Sequence, residues 1–211
     1  MVTVKKTERP REDLKKKILE AARDLFLKDG YEATSMRKIA SAIGISPTAI
    51  YLYYKDKSDV MHALHSEGFC FLNHRFAILA QVEDPFERLK AMGRIYMQFA
   101  FENADYYRLM FIMKEPIEYL DNHCAGEEWD EGSQSFYALV ATVEACMKEG
   151  YFKGQEARQT SLLVWAAMHG LCSMKLSGHL DHITKTKNIF TEPDLALEQS
   201  FQNLIILMSN R

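Results

Sequence analysis

A chain of 211 residues, 47% apolar and 26% charged, is long enough for one or two domains with a real core, and its composition excludes disordered and collagen-like classes. No run approaches the roughly 20 apolar residues that span a bilayer. No apolar stretch follows the opening Met1–Lys6, so no secretory leader or membrane is expected and the expected location is the cytoplasm. The net charge of −3 hides an asymmetry. Residues 1–60 carry 13 Lys/Arg against 9 Asp/Glu, and the remainder carries 13 against 20. Such a division suggests a nucleic-acid-facing amino-terminal end.

Residues 1–10 read as a flexible basic arm with Lys5, Lys6 and Arg9, and Pro10 suits the boundary of a first helix. That helix is expected over 11–29, where Leu14, Ile18, Ala22, Leu25 and Phe26 recur at spacings of three and four. Gly30 stops it, and Thr34 or Ser35 caps the next. Met36, Ile39, Ala40 and Ile43 stripe that second helix until Gly44 breaks it. Ser46 is an N-cap and Pro47 a first helical residue, predicting a short third helix over about 47–54. Asp56 caps a fourth, with Asp59 in its first turn. Two short helices joined by Gly44-Ile45-Ser46 make a helix-turn-helix pattern.

Further on, helices are predicted over 57–81, 85–103, 105–114, 131–149, 156–179 and 193–209, with loops over 115–130 and 180–192. The expected fold is all-α. A helix-turn-helix DNA-binding domain over 11–56 precedes a larger helical domain over 57–211 for effector binding and dimerisation.

To read DNA, a short helix must anchor one face and offer the other to a major groove about 12 Å wide. Ile50 and Tyr54 suit the anchored face. Pro47, Thr48, Ala49, Tyr51 and Leu52 project elsewhere. Thr48 can bond a base or phosphate, and Leu52 can touch a thymine methyl. Tyr51 and Tyr53 offer hydroxyls to phosphates, and Lys57 sits where it could clamp one. Ser35 and Arg37, at the start of the second helix, complete the candidate DNA-binding set with Thr34.

Residues 30–60 closely resemble the DNA-binding domain of tetracycline-repressor (TetR) family regulators. The matching features are Gly30-Tyr31, Thr34, Ile39-Ala40, Gly44-Ile45-Ser46, Ile50-Tyr51, the aromatic at 54 and Lys57. The resemblance implies phosphate contacts from Thr34, Tyr51, Tyr53 and Lys57 and base-edge approach from 47, 48 and 52. Tyr54 stands where Phe is usual, Asp59-Val60 where Glu-Leu is common, and Thr48 where Gly is frequent. The operator sequence therefore stays unread.

In the carboxy-terminal part, Trp165 and His169 lie four apart on one helix face, followed by Gly170. With Tyr106–Phe111, this resembles the Trp-x-x-x-His-Gly type of TetR carboxy-terminal domain. Phe69, Met97, Phe101, Met110, Met113, Trp165, Met168 and His169 are candidates for a pocket holding a small, largely apolar effector of unknown identity; plain core packing is their other reading. Leu171, Lys175, Leu197, Phe201, Leu204 and Met208 are candidates for a homodimer interface, which the resemblance implies is a two-fold four-helix bundle. A dimer also suits a near-palindromic double-stranded operator, because one reading helix makes few contacts.

No cofactor or metal is expected. His62 and His65, and His179 and His182, are spaced three apart, but no further ligands complete a recognisable site. Cys70, Cys124, Cys146 and Cys172 fit reduced thiols better than a disulfide framework or a redox role. An enzyme would need a nucleophile–base pair or a metal cluster, and the sequence offers neither. The expected function is a ligand-released repressor; the alternative is an activator or nucleoid-type factor without a small-molecule effector.

Overall fold

The computed structural model describes residues 9–118, 130–187 and 190–209. Residues 1–8 of the expected arm, most of the acidic loop and Cys124 lie outside them. Helix α1 covers Arg9–Asp29, α2 Met36–Ala42, α3 Pro47–Ile50 and α4 Lys57–Ala77. A 3-10 turn over Ile78–Gln81 follows, then α5 (Pro85–Glu102) and α6 (Ala104–Phe111). The remaining helices are α7 (Asp130–Lys148), α8 (Ala157–Leu176), α9 (His179–Lys187) and α10 (Pro193–Met208). Among the described residues there is no strand, and no helix is long and apolar enough to cross a membrane.

Side-chain caps fix the starts of α2, α3, α4, α5 and α8. Ser35 Oγ accepts from Lys38 N at 3.2 Å, and Ser46 Oγ from Ala49 N at 3.1 Å. Asp56 accepts from Asp59 N while Asp59 accepts from Lys55 N, each at 2.9 Å, so two acidic side chains close the start of α4. Asp84 and Glu156 do the same for α5 and α8.

Four expectations are corrected. Helix α1 begins at Arg9, two residues before the expected start at 11. Regular helix in α3 ends at Ile50, and residues 51–53 are hydrogen-bonded turns. α4 gives way to the 3-10 turn at Ile78. The loop expected over 180–192 is largely α9. There Gly178, at φ +76°, ends α8 and the chain restarts with His182 N donating to Gly178 O. Among the described side chains of α9 only Leu180 and Thr184 are buried, too sparse a pattern for periodicity to reveal.

The chain divides into two compact units, and the division does not follow the boundary expected at 56/57. The first joins the residues up to Gly68 with those from Asp105 onward through α6; the second joins Phe69–Ala104 with the residues from Asp130. In the first, Ile18, Ala22, Phe26, Ile39, Ile50, Val60, Met61 and Leu64 are buried. Tyr106 of α6 donates a 2.6 Å hydrogen bond to Glu67 of α4, and Arg23 of α1 sits over the Tyr106 ring.

In the second unit α5, α7, α8 and α10 pack together. Phe86, Leu89, Val143, Cys146 and Val164 form one buried cluster, and Tyr151 stacks on Phe86 with ring centroids 4.4 Å apart. Gly93 of α5 admits Phe201 of α10, since a methyl group at Gly93 would come within 2.8 Å of the Phe201 ring.

Candidate nucleic-acid interface

The helix-turn-helix is held from inside. Ile50 is fully buried, as are Ile39 and Ala40 of α2. Gly44 has φ +71°, a left-handed turn that a side chain would strain, and it reverses the chain between α2 and α3. With Ile50 fixed inward, the opposite side of α3 faces solvent. Pro47 and Thr48 are exposed, Ala49 is half-buried, and Tyr51 and Leu52 are 55% and 72% exposed. An exposed tyrosine and leucine side by side in the turn that follows α3 have no packing role among the described residues. Ser35 and Arg37 of α2 are exposed as well, with the Ser35 hydroxyl already committed to its cap.

Two residues of the candidate set are differently placed. Thr34 is only 2% exposed, and its hydroxyl donates to Gly30 O at 2.8 Å and Leu25 O at 3.3 Å. This geometry does not fit the expected phosphate contact from its side chain; the hydroxyl instead locks the α1–α2 turn. Lys57 is half-buried, lies 3.9 Å from the Tyr31 ring centroid and donates to Tyr31 O at 2.8 Å. It braces the first residue of α4 against the same turn, with two ammonium hydrogens left over. The neighbouring Tyr31 hydroxyl pairs with Ser58 Oγ at 2.9 Å.

Tyr53 is half-buried, with Arg11 of α1 5.9 Å from its ring centroid. Tyr54 is buried, and Lys15 of α1 lies 5.7 Å from its ring. Sequence reasoning placed neither Arg11 nor Lys15 beside the reading segment, because no periodicity links residues forty apart.

Residues 18–64 match the family model described as "Bacterial regulatory proteins, tetR family". Residues 89–193, a span that includes Trp165, His169 and Gly170, match "Tetracyclin repressor-like, C-terminal domain". The chain belongs to the TetR family. TetR proteins of this kind are helix-turn-helix regulators of transcription. The regulator YvkB of Bacillus subtilis is 32% identical over 111 residues, 51% of this chain and 56% of that protein. The regulator TtgR of Pseudomonas putida is 22% identical over 174 residues, 80% of this chain and 82% of that one. This chain thus matches little more than half the length of the first of these relatives. The crystal structure of the TetR regulator PfmR from Thermus thermophilus superposes with a TM-score of 0.64 at 19% identity, covering 92% of this chain and 99% of that one. It shows the same fold.

In the second unit of this TetR chain the Trp-x-x-x-His-Gly residues join a polar chain. Trp165 Nε1 donates to Tyr96 Oη, Tyr96 Oη meets His169 Nδ1, and His169 Nε2 meets Ser173 Oγ, each at 3.3 Å. Burial lowers the His169 pKa. Phe69, Met97 and Met168 are buried, while Phe101 is 36% exposed. Met110 and Met113 belong to the first unit, where the Met110 sulfur packs against Gly68. A cleft of about 340 Å³ lies between the end of α4, the 3-10 turn, α5 and α7, lined by Phe76, Leu79, Arg88, Met92, Ala138 and Thr142 among others. None of the eight expected pocket residues lines it.

The dimer candidates are variously placed. Leu197 and Phe201 are 8% and 1% exposed, so they belong to the protomer's own core. Lys175 is ion-paired with Asp194 at 2.7 Å and Asp181 at 3.3 Å. Leu171, Leu204 and Met208 are half-buried. The exposed apolar side chains are others: Leu162 (54%), Leu163 (71%) and Met174 on α8, and Leu195, Ile206 (61%) and Leu207 (71%) on α10. Ala166 and Gly170 lie on the same exposed face of α8, and nothing comes within 4 Å of where a Gly170 side chain would begin. The readable signal was that α8 is apolar nearly all round, which one buried face does not require.

Among the described residues, no group of three or more His, Cys, Asp or Glu side chains gathers as a metal site would need. Burial pushes the thiol of Cys146 up to about 11 and that of Cys172 up to about 12, whereas Cys70 is exposed.

Proposed function

We propose that this protein is a cytoplasmic homodimeric repressor that binds a near-palindromic operator and is released by a small, largely apolar effector. The observation that carries the DNA-reading role is α3: buried Ile50 anchors it, and Thr48, Tyr51 and Leu52 stand clear on its outer side. Thr48 and Leu52 approach base edges, while Tyr51, Tyr53 and the backbone at Ser35 hold phosphates. The exposed stripes of α8 and α10 support a two-fold bundle in which Leu163, Met174, Ile206 and Leu207 meet their copies, with Gly170 allowing close approach of the helices. Two copies would set the reading helices about 34–36 Å apart, the spacing of successive major grooves.

The effector part of the reading is supported by the aromatic- and Met-rich second unit, by its cleft, and by α4. That helix is continuous from the first unit, where it starts at Lys57, into the second, where it ends at Ala77. A ligand that shifts α4 would change operator affinity by a coupling of about 1–3 kcal/mol, or roughly 5–150-fold, and operator would change ligand affinity equally.

The test is selection of bound duplexes from a random pool, followed by titration of the selected operator with and without a metabolite library. A near-palindromic consensus and a compound that weakens binding would support the reading. Enrichment of no sequence, or an operator complex containing one protomer, would overturn it.

A further inference from the structure

The reading segment ends against α1, and the contacts there are cationic. Arg11 lies over Tyr53, Lys15 lies over Tyr54, and the exposed Lys55 follows directly. Arg11 and Lys15 are four apart, so they share one face of α1. Glu12 and Asp13 are turned roughly 100° and 200° away from Arg11 around the helix. Asp56 and Asp59, the nearest acids in the chain beyond Lys55, are engaged with backbone N–H groups at the start of α4. Among the described residues, no carboxylate lies within ion-pairing distance of Arg11, Lys15 or Lys55. Elsewhere in the same unit Arg23 pairs with Asp24 and Asp105, Lys38 with Asp29, and Lys114 with Glu118.

Among the described residues Arg11, Lys15 and Lys55 thus form no ion pair, and Arg11 also sits in the first turn of α1, where a positive charge opposes the helix dipole. An anion with closely spaced charges suits these cations, and duplex DNA carries one phosphate per roughly 1.7 Å of axis. The patch adjoins Tyr53, so a duplex held by α3 brings its own backbone to it.

We propose that Arg11, Lys15 and Lys55 form a second DNA-contacting surface that binds backbone phosphates flanking the base pairs read by α3. The inference rests on the DNA-reading role proposed above and extends the footprint beyond the helix-turn-helix proper. Tyr53 holds the Arg11 guanidinium in place, leaving its N–H fork free for a phosphate. Because phosphates carry no sequence information directly, this surface adds affinity and register without changing base preference.

The test uses the full chain with Arg11 and Lys15 both changed to Gln, measured against the selected operator and a copy trimmed at its flanks. Each phosphate contact contributes about 0.9 to the slope of log K against log salt, so the slope should fall by about two per subunit. The ranking of single-base operator variants should stay the same. Trimming should weaken the wild type and leave the double variant unaffected. The charge-keeping pair Arg11→Lys and Lys15→Arg should restore most of the slope, and circular dichroism should show every variant folded. An unchanged slope in the Gln variant, with the wild type binding normally, overturns this inference and leaves the DNA-reading role standing. A wild type that binds no duplex at any salt concentration takes both down.

Discussion

Lys57 donates a 2.8 Å hydrogen bond to the carbonyl of Tyr31 while its ammonium rests 3.9 Å from the centre of the same residue's ring. One side chain thus ties the first residue of α4 to the turn between α1 and α2. If it also holds a phosphate, stability and DNA binding share a group. Lys57→Met keeps the stem and removes both roles. It should cost about 1–2 kcal/mol of stability, from one hydrogen bond and one cation–π contact. It should also lower the salt slope of operator binding by about one per subunit. Loss of stability with an unchanged slope would make Lys57 a brace alone.

Thr34→Val tests the buried hydroxyl at constant shape. Without it the carbonyls of Gly30 and Leu25 lose the threonine hydroxyl as a donor. The two hydrogen bonds are part-buried, and each contributes about 0.5–1.5 kcal/mol. Urea denaturation should register that loss, and the slope of operator affinity against salt should not change. A reduced slope would restore the phosphate role to this side chain.

Tyr54→Phe should be neutral or stabilising. The Tyr54 hydroxyl is buried without a hydrogen-bond partner among the described residues, and burial raises its pKa. Removing an unpaired buried polar group can recover about 1 kcal/mol, or roughly 2–4 °C in melting temperature for a chain of this size. The sign of the alkaline effect follows from linkage. The folded phenol holds its proton above the unfolded value of about 10, so stability falls as pH rises past 10. The variant should lose less stability there, which thermal melts between pH 9 and 11 would show.

The residues legible from sequence were those with local signals. Ser35, Ser46 and Asp56 announce helix starts, Gly44 a reversal, and the period of three and four in α1 and α2 the core. The four-residue spacing of Ile50 and Tyr54 predicts an inward face, and both are buried. The backbone partners of Thr34 and Lys57 are not legible for a physical reason: a polar side chain can turn to solvent or to a backbone carbonyl, and composition does not distinguish the two. Phe201 and Leu207 show the same limit for apolar side chains. Both lie on α10, and only packing reveals that one fills the notch at Gly93 while the other is exposed.

That pair gives a sharper test of dimerisation. Leu207→Glu places a charge on an exposed position and should yield folded monomers with weakened operator binding. Phe201→Glu buries a charge beside Gly93 and should unfold the protomer instead. Sedimentation and circular dichroism together separate the outcomes. A Leu207→Glu protein that remains dimeric would move the interface off this face.

His65 makes the first unit sensitive to acid. It is fully buried in α4, and burial, with a smaller contribution from His62, lowers its pKa to about 4 against an opposing pull from the Met110 backbone. The unfolded state, titrating near 6.5, binds the proton first. Stability is therefore complete above pH 6.5 and declines towards pH 4, by a total on the order of 3 kcal/mol. Denaturation midpoints across that window should fall in the wild type and flatten in His65→Leu.

Four residues of regular helix are too few to persist on their own, since nucleating a single turn is unfavourable in water. α3 therefore exists because Ile50 is seated in the core of the first unit, and it cannot fray independently while that core is closed. Its backbone amides should exchange with deuterated solvent only as fast as the surrounding core opens. The reading surface is consequently presented already ordered to any duplex that diffuses past, so encounter does not wait for a helix to form.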